Sequence, residues 1–262
     1  DRLLYFRPPK RCGNSAVSAN HLCQRIGGEP SMSNAGHDFS RYAAAYGSRN
    51  VIQRLVAKKL VDSTVDRPRR ILDLGCGNGT LYSLIDWEIE RYVGIDFSAS
   101  MLEYHPRSPN VELILGDFND PTLFDTLKDE PFDHIYSASA LQWADDLGAV
   151  LSNIARFNTP YSLAVFTAGT FKTLHECADV APLLRSSEEV ISIAEHHLDA
   201  RFEVLHTTLE FDSVREMFRY IKRSGVSGGR RLLDVGRMKR LMEMYPLNYL
   251  EFEVVFIMSK SV

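Results

Sequence analysis

The stretch Ile71-Leu72-Asp73-Leu74-Gly75-Cys76-Gly77-Asn78-Gly79 decides the fold class of this 262-residue chain. Its apolar first half predicts a buried strand, and its three glycines predict a tight turn that opens a helix. Glycine accepts positive φ angles and lets backbone amides come close to a ligand. A turn of this kind is a weak signal alone, because it also serves as a tight connection that binds nothing.

A second strand, Tyr92–Asp96, ends in an acid about 20 residues after the glycine turn, where an acid can bind both ribose hydroxyls of a nucleoside. Enzymes that bind NAD use the same device. Here only one residue separates Gly77 from Gly79, whereas the dinucleotide fingerprint has two. The compact turn therefore favours a nucleoside ligand without a pyrophosphate.

Strand-like and helix-like segments alternate along most of the chain, which predicts an α/β fold with a parallel sheet and right-handed crossovers. A helix around Val51–Val61 precedes the sheet. The late strands Phe202–Phe211 and Leu250–Met258 predict a closing antiparallel hairpin, and helices at about 170–198 predict a small cap over the substrate side. The five earlier predicted strands are Ile71–Leu74, Tyr92–Ile95, Val111–Leu115, Ile135–Ser137 and Leu163–Phe166.

Residues 1–33 lack sustained periodicity, so we expect a poorly packed extension, or an upstream addition, ahead of a single domain at 34–262. The net charge of -4 argues against general nucleic-acid binding. The four cysteines have neither Cys-x-x-Cys nor metal-ligand spacing, and no apolar run reaches the roughly 20 residues of a membrane span. We therefore expect a cytoplasmic protein with no metal site, no membrane partner and no nucleic-acid partner.

The third and fourth predicted strands also end in candidate site residues. Asp117 could accept a hydrogen bond from the exocyclic amine of adenine while Phe118 packs on the ring. Alone, Asp117 is more typical of a turn or helix-capping residue, but its register with the first two motifs favours the ligand-binding role. The segment Ala138–Trp143 follows the fourth strand, where a methyl donor and its acceptor would meet.

Four motifs together resemble the class I S-adenosylmethionine methyltransferases: Asp73–Gly79, Gly94–Asp96, Gly116–Asp117 and Phe132–Ser137. Within that superfamily the chain is similar, over about residues 37–258, to the malonyl-[acyl-carrier protein] O-methyltransferases of biotin synthesis. The matching features are Phe39-Ser40-Arg41, Tyr46, Gln53, Leu141-Gln142-Trp143, Phe218 with Lys222 and Gly225, and Tyr245-Pro246-Leu247 with Tyr249.

The resemblance implies a Rossmann-like, mostly parallel seven-stranded sheet, with S-adenosylmethionine as cofactor and S-adenosylhomocysteine as product. It implies methylation of the free carboxyl of a malonyl thioester on an acyl-carrier protein. Tyr46, Gln142 and Trp143 are then the expected catalytic residues. The expected cofactor-binding residues are Arg41, Gln53, Asp73, Gly75, Cys76, Gly77, Asp96, Phe97, Met101, Asp117, Phe118 and Ser137.

Two departures leave the acceptor open. The chain has Asn158-Thr159-Pro160-Tyr161 where the family usually has Lys-Pro-Gly-Gly, and Thr173–Cys177 follows the family pattern only loosely. The alternatives are a carboxyl methyltransferase of the trans-aconitate type and a non-catalytic partner subunit with the same fold. The intact cofactor motifs argue against the non-catalytic subunit.

Positive charge is concentrated between Arg215 and Arg240, with nine basic residues against Glu216 and Asp234. This concentration predicts a docking surface for an acidic acyl-carrier protein, centred on Arg219, Lys222 and Arg223. Solvated helix faces are the plain alternative, and an RNA-facing surface is a weaker one.

Overall fold

A computed structural model describes residues 50–224 and 235–260 and arranges seven strands in one sheet of order β3-β2-β1-β4-β5-β7-β6. Strands β1 to β5 pair in parallel, and β7 runs antiparallel to both β5 and β6. The predicted Rossmann-like sheet with a closing antiparallel strand is confirmed. The strands are β1 Arg70–Leu74, β2 Arg91–Asp96, β3 Val111–Leu115, β4 His134–Ala138, β5 Tyr161–Phe166, β6 Ala200–Glu210 and β7 Tyr249–Ser259.

Helices cover both faces of this sheet, and short side chains cap several of them. The Asp120 and Ser186 side chains accept hydrogen bonds from amides of the first turns of the third and sixth helices. The helices are α1 Val51–Asp62, α2 Ala99–Glu103, α3 Pro121–Leu127, α4 Leu147–Ala155, α5 Lys172–Ala178, α6 Ser187–His197, α7 Val214–Ser224 and α8 Val235–Met244.

The glycine turn leads into a short 3-10 turn, Tyr82–Leu84, where the sequence predicts a full helix. The indole of Trp87 donates a 2.8 Å hydrogen bond to the carbonyl of Pro68, which ties the following segment back to the start of β1. Tyr82 packs edge-on against Tyr92, with ring centroids 4.9 Å apart. These tertiary contacts shorten the helix that the local pattern indicates.

Alternate residues of β1 pack into separate cores on the two faces of the sheet. Leu72 and Leu74 join the core that contains residues of α4 and α6, while Ile71 joins the core that contains residues of α1, α7 and α8. Side chains alternate between the faces of a strand, so Asp73 lies on the same face as Ile71. A charged residue is thereby placed beside an apolar core.

The carboxyl edge of the sheet carries the candidate site. The chain passes from β1 outward to β2 and β3 and then returns to β4 on the other side of β1, so the β1/β4 boundary is the topological switch point. The β5/β7 pairing ends with Phe166 opposite Val254. The β6/β7 pairing continues past that level, as far as Glu210 opposite Tyr249, so these two strands extend beyond the end of β5. Helices α7 and α8 connect β6 to β7 and therefore begin beyond this edge.

The range 170–198, expected to form a cap, contains two helices with different surroundings. Val190 and Ala194 of α6 are buried in the core beside α4, so α6 covers a face of the sheet. The preceding segment lies at the carboxyl edge, because Ala168 donates its N–H to the carbonyl of Arg185 and the Arg185 guanidinium donates to the carbonyl of Ala144. The expected extension at 1–33 is outside the described residues.

Candidate active site

Backbone hydrogen bonds hold the glycine turn against the end of β2. The amides of Gly75 and Cys76 both donate to the carbonyl of Ile95, at 2.8 and 2.9 Å. Gly75, Gly77 and Gly79 all have positive φ, and a Cβ on Gly75 would lie only 2.2 Å from the Cβ of Ala140. Only glycine fits at position 75, where the turn touches the segment that follows β4.

Asp96 is fixed by two backbone amides. Gly77 donates to its Oδ2 and Ser98 donates to its Oδ1, each at 2.9 Å. Burial raises the pKa of Asp96, while these two hydrogen bonds oppose the rise. Each carboxylate oxygen can accept a further hydrogen bond, so the geometry suits a ligand with a pair of hydroxyls.

Asp73 is almost completely buried, with 1% of its surface exposed. Its Oδ2 accepts a 2.5 Å hydrogen bond from the Tyr92 hydroxyl, and its Oδ1 has no hydrogen-bond partner among the described residues. Burial raises the pKa of Asp73 to about 7, although the Tyr92 hydrogen bond favours the ionised form. An unpaired carboxylate oxygen in a buried site suits a cationic ligand group.

Four further expected cofactor residues surround these acids. Asp117 is exposed, and its Oδ1 accepts hydrogen bonds from the backbone and side-chain N–H groups of Asn119. These two hydrogen bonds are typical of an aspartate in a turn. Phe118 is buried in the core beside Gly75, whereas Phe97 is 53% exposed and Met101 is 41% exposed. Phe97 and Met101 therefore keep more surface for contact with a ligand ring than Phe118 does.

Two expected cofactor residues, Ser137 and Cys76, have buried side chains with contacts inside the protein. Ser137 is fully buried, and its hydroxyl donates a 2.7 Å hydrogen bond to the carbonyl of Leu74, which joins the ends of β4 and β1. The hydroxyl of Ser137 is thus engaged within the sheet, and its expected role in cofactor binding stays a prediction. The Cys76 side chain is 6% exposed and lies where a Cβ on Gly94 would be, and burial raises the pKa of the thiol.

The segment after β4 contains a residue that the sequence analysis missed. Ser139 has a φ of 65°, and its hydroxyl is buried without a hydrogen-bond partner among the described residues. Gln142 donates from Nε2 to the Ser139 carbonyl at 2.6 Å, and its Oε1 is also buried and unpartnered. Strained backbone and orphaned polar atoms concentrate at functional sites, but neither has a local sequence signature.

Several remaining site residues lie outside what can be described. Arg41 and Tyr46 precede residue 50, and the side chains of Lys222 and Arg223 are likewise outside the described part of the chain. Gln53 lies on α1 and is half-buried, and its Oε1 has no hydrogen-bond partner within residues 50–224 and 235–260. Trp143 is half-buried within the 3-10 turn Leu141–Trp143.

A cleft of about 650 Å³ opens beside the end of β5. Its lining is acidic, with four carboxylates and one lysine, and His175 adds a ring whose pKa is lowered by burial. The charged lining residues are Lys172, Glu176, Asp179, Glu188 and Glu253. Among residues 50–224 and 235–260, no group of three or more His, Cys, Asp and Glu side chains could hold a metal ion.

Residues 71–160 match the sequence model of a family described as Methyltransferase domain. The chain carries a class I S-adenosylmethionine-dependent methyltransferase domain. The glycine turn, the double-anchored Asp96 and the unpaired oxygen of Asp73 fit this cofactor, which has a ribose and an ammonium group but no phosphate. Within the described ranges of the methyltransferase, no helix is both long and apolar enough to cross a bilayer.

Curated relatives of the methyltransferase extend the match beyond that domain. A malonyl-[acyl-carrier protein] O-methyltransferase of Chlorobium luteolum is 29% identical over 229 residues, which cover 79% of this chain and 84% of the relative. The enzyme of that name from Serratia marcescens is 25% identical over 241 residues, covering 86% of this chain and 92% of its own length.

Solved structures share the fold. The YcgJ protein of Bacillus subtilis is 14% identical, has a TM-score of 0.54, and covers 80% of this chain and 99% of its own. The phosphoethanolamine N-methyltransferase 2 of Haemonchus contortus, solved with S-adenosyl-L-methionine, is 15% identical with a TM-score of 0.50, covering 87% of this chain and 58% of its own.

Proposed function

We propose that this methyltransferase esterifies the free carboxyl group of a malonyl thioester carried by an acyl-carrier protein. The observation that carries the proposal is the reach of the sequence similarity. It covers 79% and 86% of the chain in two relatives of that name, well beyond residues 71–160. The similarity is therefore not confined to the methyltransferase-domain match.

The chemistry of a carboxylate acceptor agrees with the polar groups near the end of β4. A malonyl carboxylate is ionised at neutral pH, so it needs alignment and exclusion of water but no general base. Ser139 offers a hydroxyl that can donate to the carboxylate, and the Gln142 amide supports this segment by donating to the Ser139 carbonyl. The bound cofactor supplies an electrophilic sulfonium methyl group.

The basic helices α7 and α8 support a carrier-protein partner. They connect β6 to β7 beyond the end of β5, so they stand on the side of the sheet where the acceptor must enter. Their exposed cationic residues include Arg215, Arg219, Lys239 and Arg240. An acidic carrier protein would be steered toward this edge by their charge. We propose that α7, α8 and the segment 168–186 together form the cap.

The trans-aconitate-type alternative is less favoured by the cleft beside β5. Four carboxylates and one lysine line this space, and such a lining repels a free tricarboxylate. A malonyl thioester has one carboxylate where trans-aconitate has three, so it meets less repulsion from this lining.

Mass spectrometry of malonylated carrier protein, incubated with the enzyme and S-adenosylmethionine, tests the proposal directly. We expect the carrier protein to gain one methyl group, and we expect malonyl-coenzyme A to react less well. Free malonate and trans-aconitate serve as competing acceptors. Faster methylation of either free acid than of the malonyl carrier protein would overturn the assignment of the acceptor.

A further inference from the structure

A buried polar pair lies directly beneath the glycine turn and involves a residue with no assigned role. Tyr92 is fully buried on β2, and its hydroxyl donates to Oδ2 of Asp73 at 2.5 Å. The other oxygen of Asp73, Oδ1, is buried and unpartnered among the described residues. One half of the carboxylate is thus held by the protein while the other half is left for a ligand.

The Tyr92 ring can reach Asp73 only because of the glycine beside it. Tyr92 pairs with Ile71 in the β1/β2 register, and Asp73 pairs with Gly94, so the hydroxyl must reach along the strand across position 94. A Cβ on Gly94 would come 3.0 Å from Tyr92 Cε1 and 2.9 Å from Cys76 Sγ. The missing side chain at position 94 therefore makes room for this hydrogen bond.

Two further rings hold Tyr92 in place from outside the strand. Tyr82 and His105 lie against it with ring centroids 4.9 and 5.4 Å away. The Tyr82 hydroxyl forms a hydrogen bond with the hydroxyl of Ser108 and not with Asp73. Tyr92 has one preferred position, and its hydroxyl fixes the rotamer of Asp73.

We infer that Tyr92 is a positioning residue for the cofactor site, which holds Asp73 so that its free Oδ1 binds the ammonium group of the methyl donor. The inference rests on the S-adenosylmethionine dependence of the proposed function and not on the identity of the acceptor. A hydrogen bond donated to a carboxylate also stabilises its ionised form, which is the form that binds a cation. The Tyr92 hydroxyl thus favours the ionised form of Asp73 and also fixes the orientation of its carboxylate.

The groups facing Asp73 predict how cofactor binding depends on pH. Burial, opposed by the Tyr92 hydrogen bond and aided by the charge of Asp96, raises the pKa of Asp73 to about 7. Cys76 and Tyr136 also face Asp73, and burial raises the pKa of each, which keeps both neutral. Removing the Tyr92 hydroxyl should therefore move the ionisation of Asp73 to higher pH.

The test is the dissociation constant of S-adenosylhomocysteine, measured by calorimetry from pH 6 to pH 9 for the wild type and Tyr92→Phe. Titration of the ligand amine affects both proteins equally and cancels in their ratio. We expect the loss of affinity in the variant to be about tenfold larger at pH 6 than at pH 9, as follows from a shift of about one pKa unit. The loss that persists at pH 9, where Asp73 is ionised in both proteins, measures the alignment that the Tyr92 hydroxyl provides. A ratio that stays at one across this range would overturn the inference.

Three further variants complete the experiment. Tyr82→Phe removes a hydroxyl from the same aromatic cluster without touching Asp73, so its ratio to wild type should stay near one at every pH. Gly94→Ala keeps the Tyr92 hydroxyl but displaces its ring, and it should reproduce the pH-dependent loss if Tyr92→Phe folds poorly. Asp73→Asn should bind weakly with no rise in affinity between pH 6 and 8. Because no acceptor is present, these results are independent of the acceptor assignment.

Discussion

The backbone N–H of Gly77 donates a 2.9 Å hydrogen bond to Oδ2 of Asp96, which makes the glycine turn and the acid at the end of β2 one unit. The contact joins two motifs that lie 19 residues apart in the chain, the glycine turn after β1 and the acid at the end of β2. Changes at Asp96 should consequently affect both ribose recognition and the shape of the turn.

Replacing Asp96 with alanine should weaken S-adenosylhomocysteine binding at least tenfold. The variant loses charge-assisted hydrogen bonds to the ribose, each of which contributes about 1.5–3 kcal/mol, and it leaves the Gly77 amide without its partner. Calorimetric titration measures the effect. Asp125→Ala is the matched control, because Asp125 is exposed on α3 and pairs with Arg156. Equal affinity in Asp96→Ala and Asp125→Ala would remove Asp96 from the site.

Two serines at the carboxyl end of β4, Ser137 in the strand and Ser139 just after it, should respond to alanine in opposite ways. Ser137→Ala removes the buried hydrogen bond to Leu74 and should lower the free energy of unfolding by about 1–3 kcal/mol, while cofactor affinity changes less than about twofold. Ser139→Ala removes a hydroxyl without a partner among the described residues, so stability should hold while kcat/KM for the acceptor falls about tenfold. Urea unfolding and steady-state kinetics separate the two. The reverse pattern would contradict the placement of these side chains.

Stability should fall in acid because of His134. This side chain is buried and its Nε2 pairs with Ser162, and burial lowers its pKa from 6.5 to about 4. The unfolded chain binds more protons between these values, so the free energy of unfolding decreases as pH falls from 6.5 to 4. Urea unfolding at pH 7.5 and 4.5 should show a loss of roughly 2–3 kcal/mol from this residue.

His134→Gln keeps a polar partner for Ser162, but glutamine does not titrate. The loss of unfolding free energy that His134 causes between pH 7.5 and 4.5 should therefore disappear in this variant. His196→Gln, on the exposed surface of α6, should retain the wild-type dependence. An unchanged pH dependence in His134→Gln would show that other groups control acid unfolding.

Reversing the charge of Arg219 should raise the KM for malonyl-carrier protein several-fold and leave the reaction with malonyl-coenzyme A nearly unchanged, because only the carrier has an acidic protein body. Added salt should reduce the difference, since exposed charges are screened over about 10 Å. Arg201→Glu, exposed near the start of β6 at the opposite edge, is the control. Equal losses with both acceptors would exclude a docking role for Arg219.

The candidate site was predictable where its residues follow each other in the chain. The glycine turn and the acids Asp73 and Asp96 were found because strand ends and turns have local signatures. The orphaned hydroxyl of Ser139 was missed, and the buried partner of Ser137 was not predicted. Ser137 differs from a ligand-binding serine only in its partner, the Leu74 carbonyl 63 positions away in the chain.

The sequence by itself determined the order of strands and helices, the glycine-rich turn and the methyltransferase class, because hydrophobic periodicity and turn chemistry act between near neighbours. Only the tertiary structure decided that α6 covers the sheet, that α7 and α8 begin beyond its carboxyl edge, and that Tyr92 reaches Asp73 across Gly94. These contacts depend on strand register and on the space left between strands. Both arise from packing of the whole sheet, which no single segment of the chain encodes.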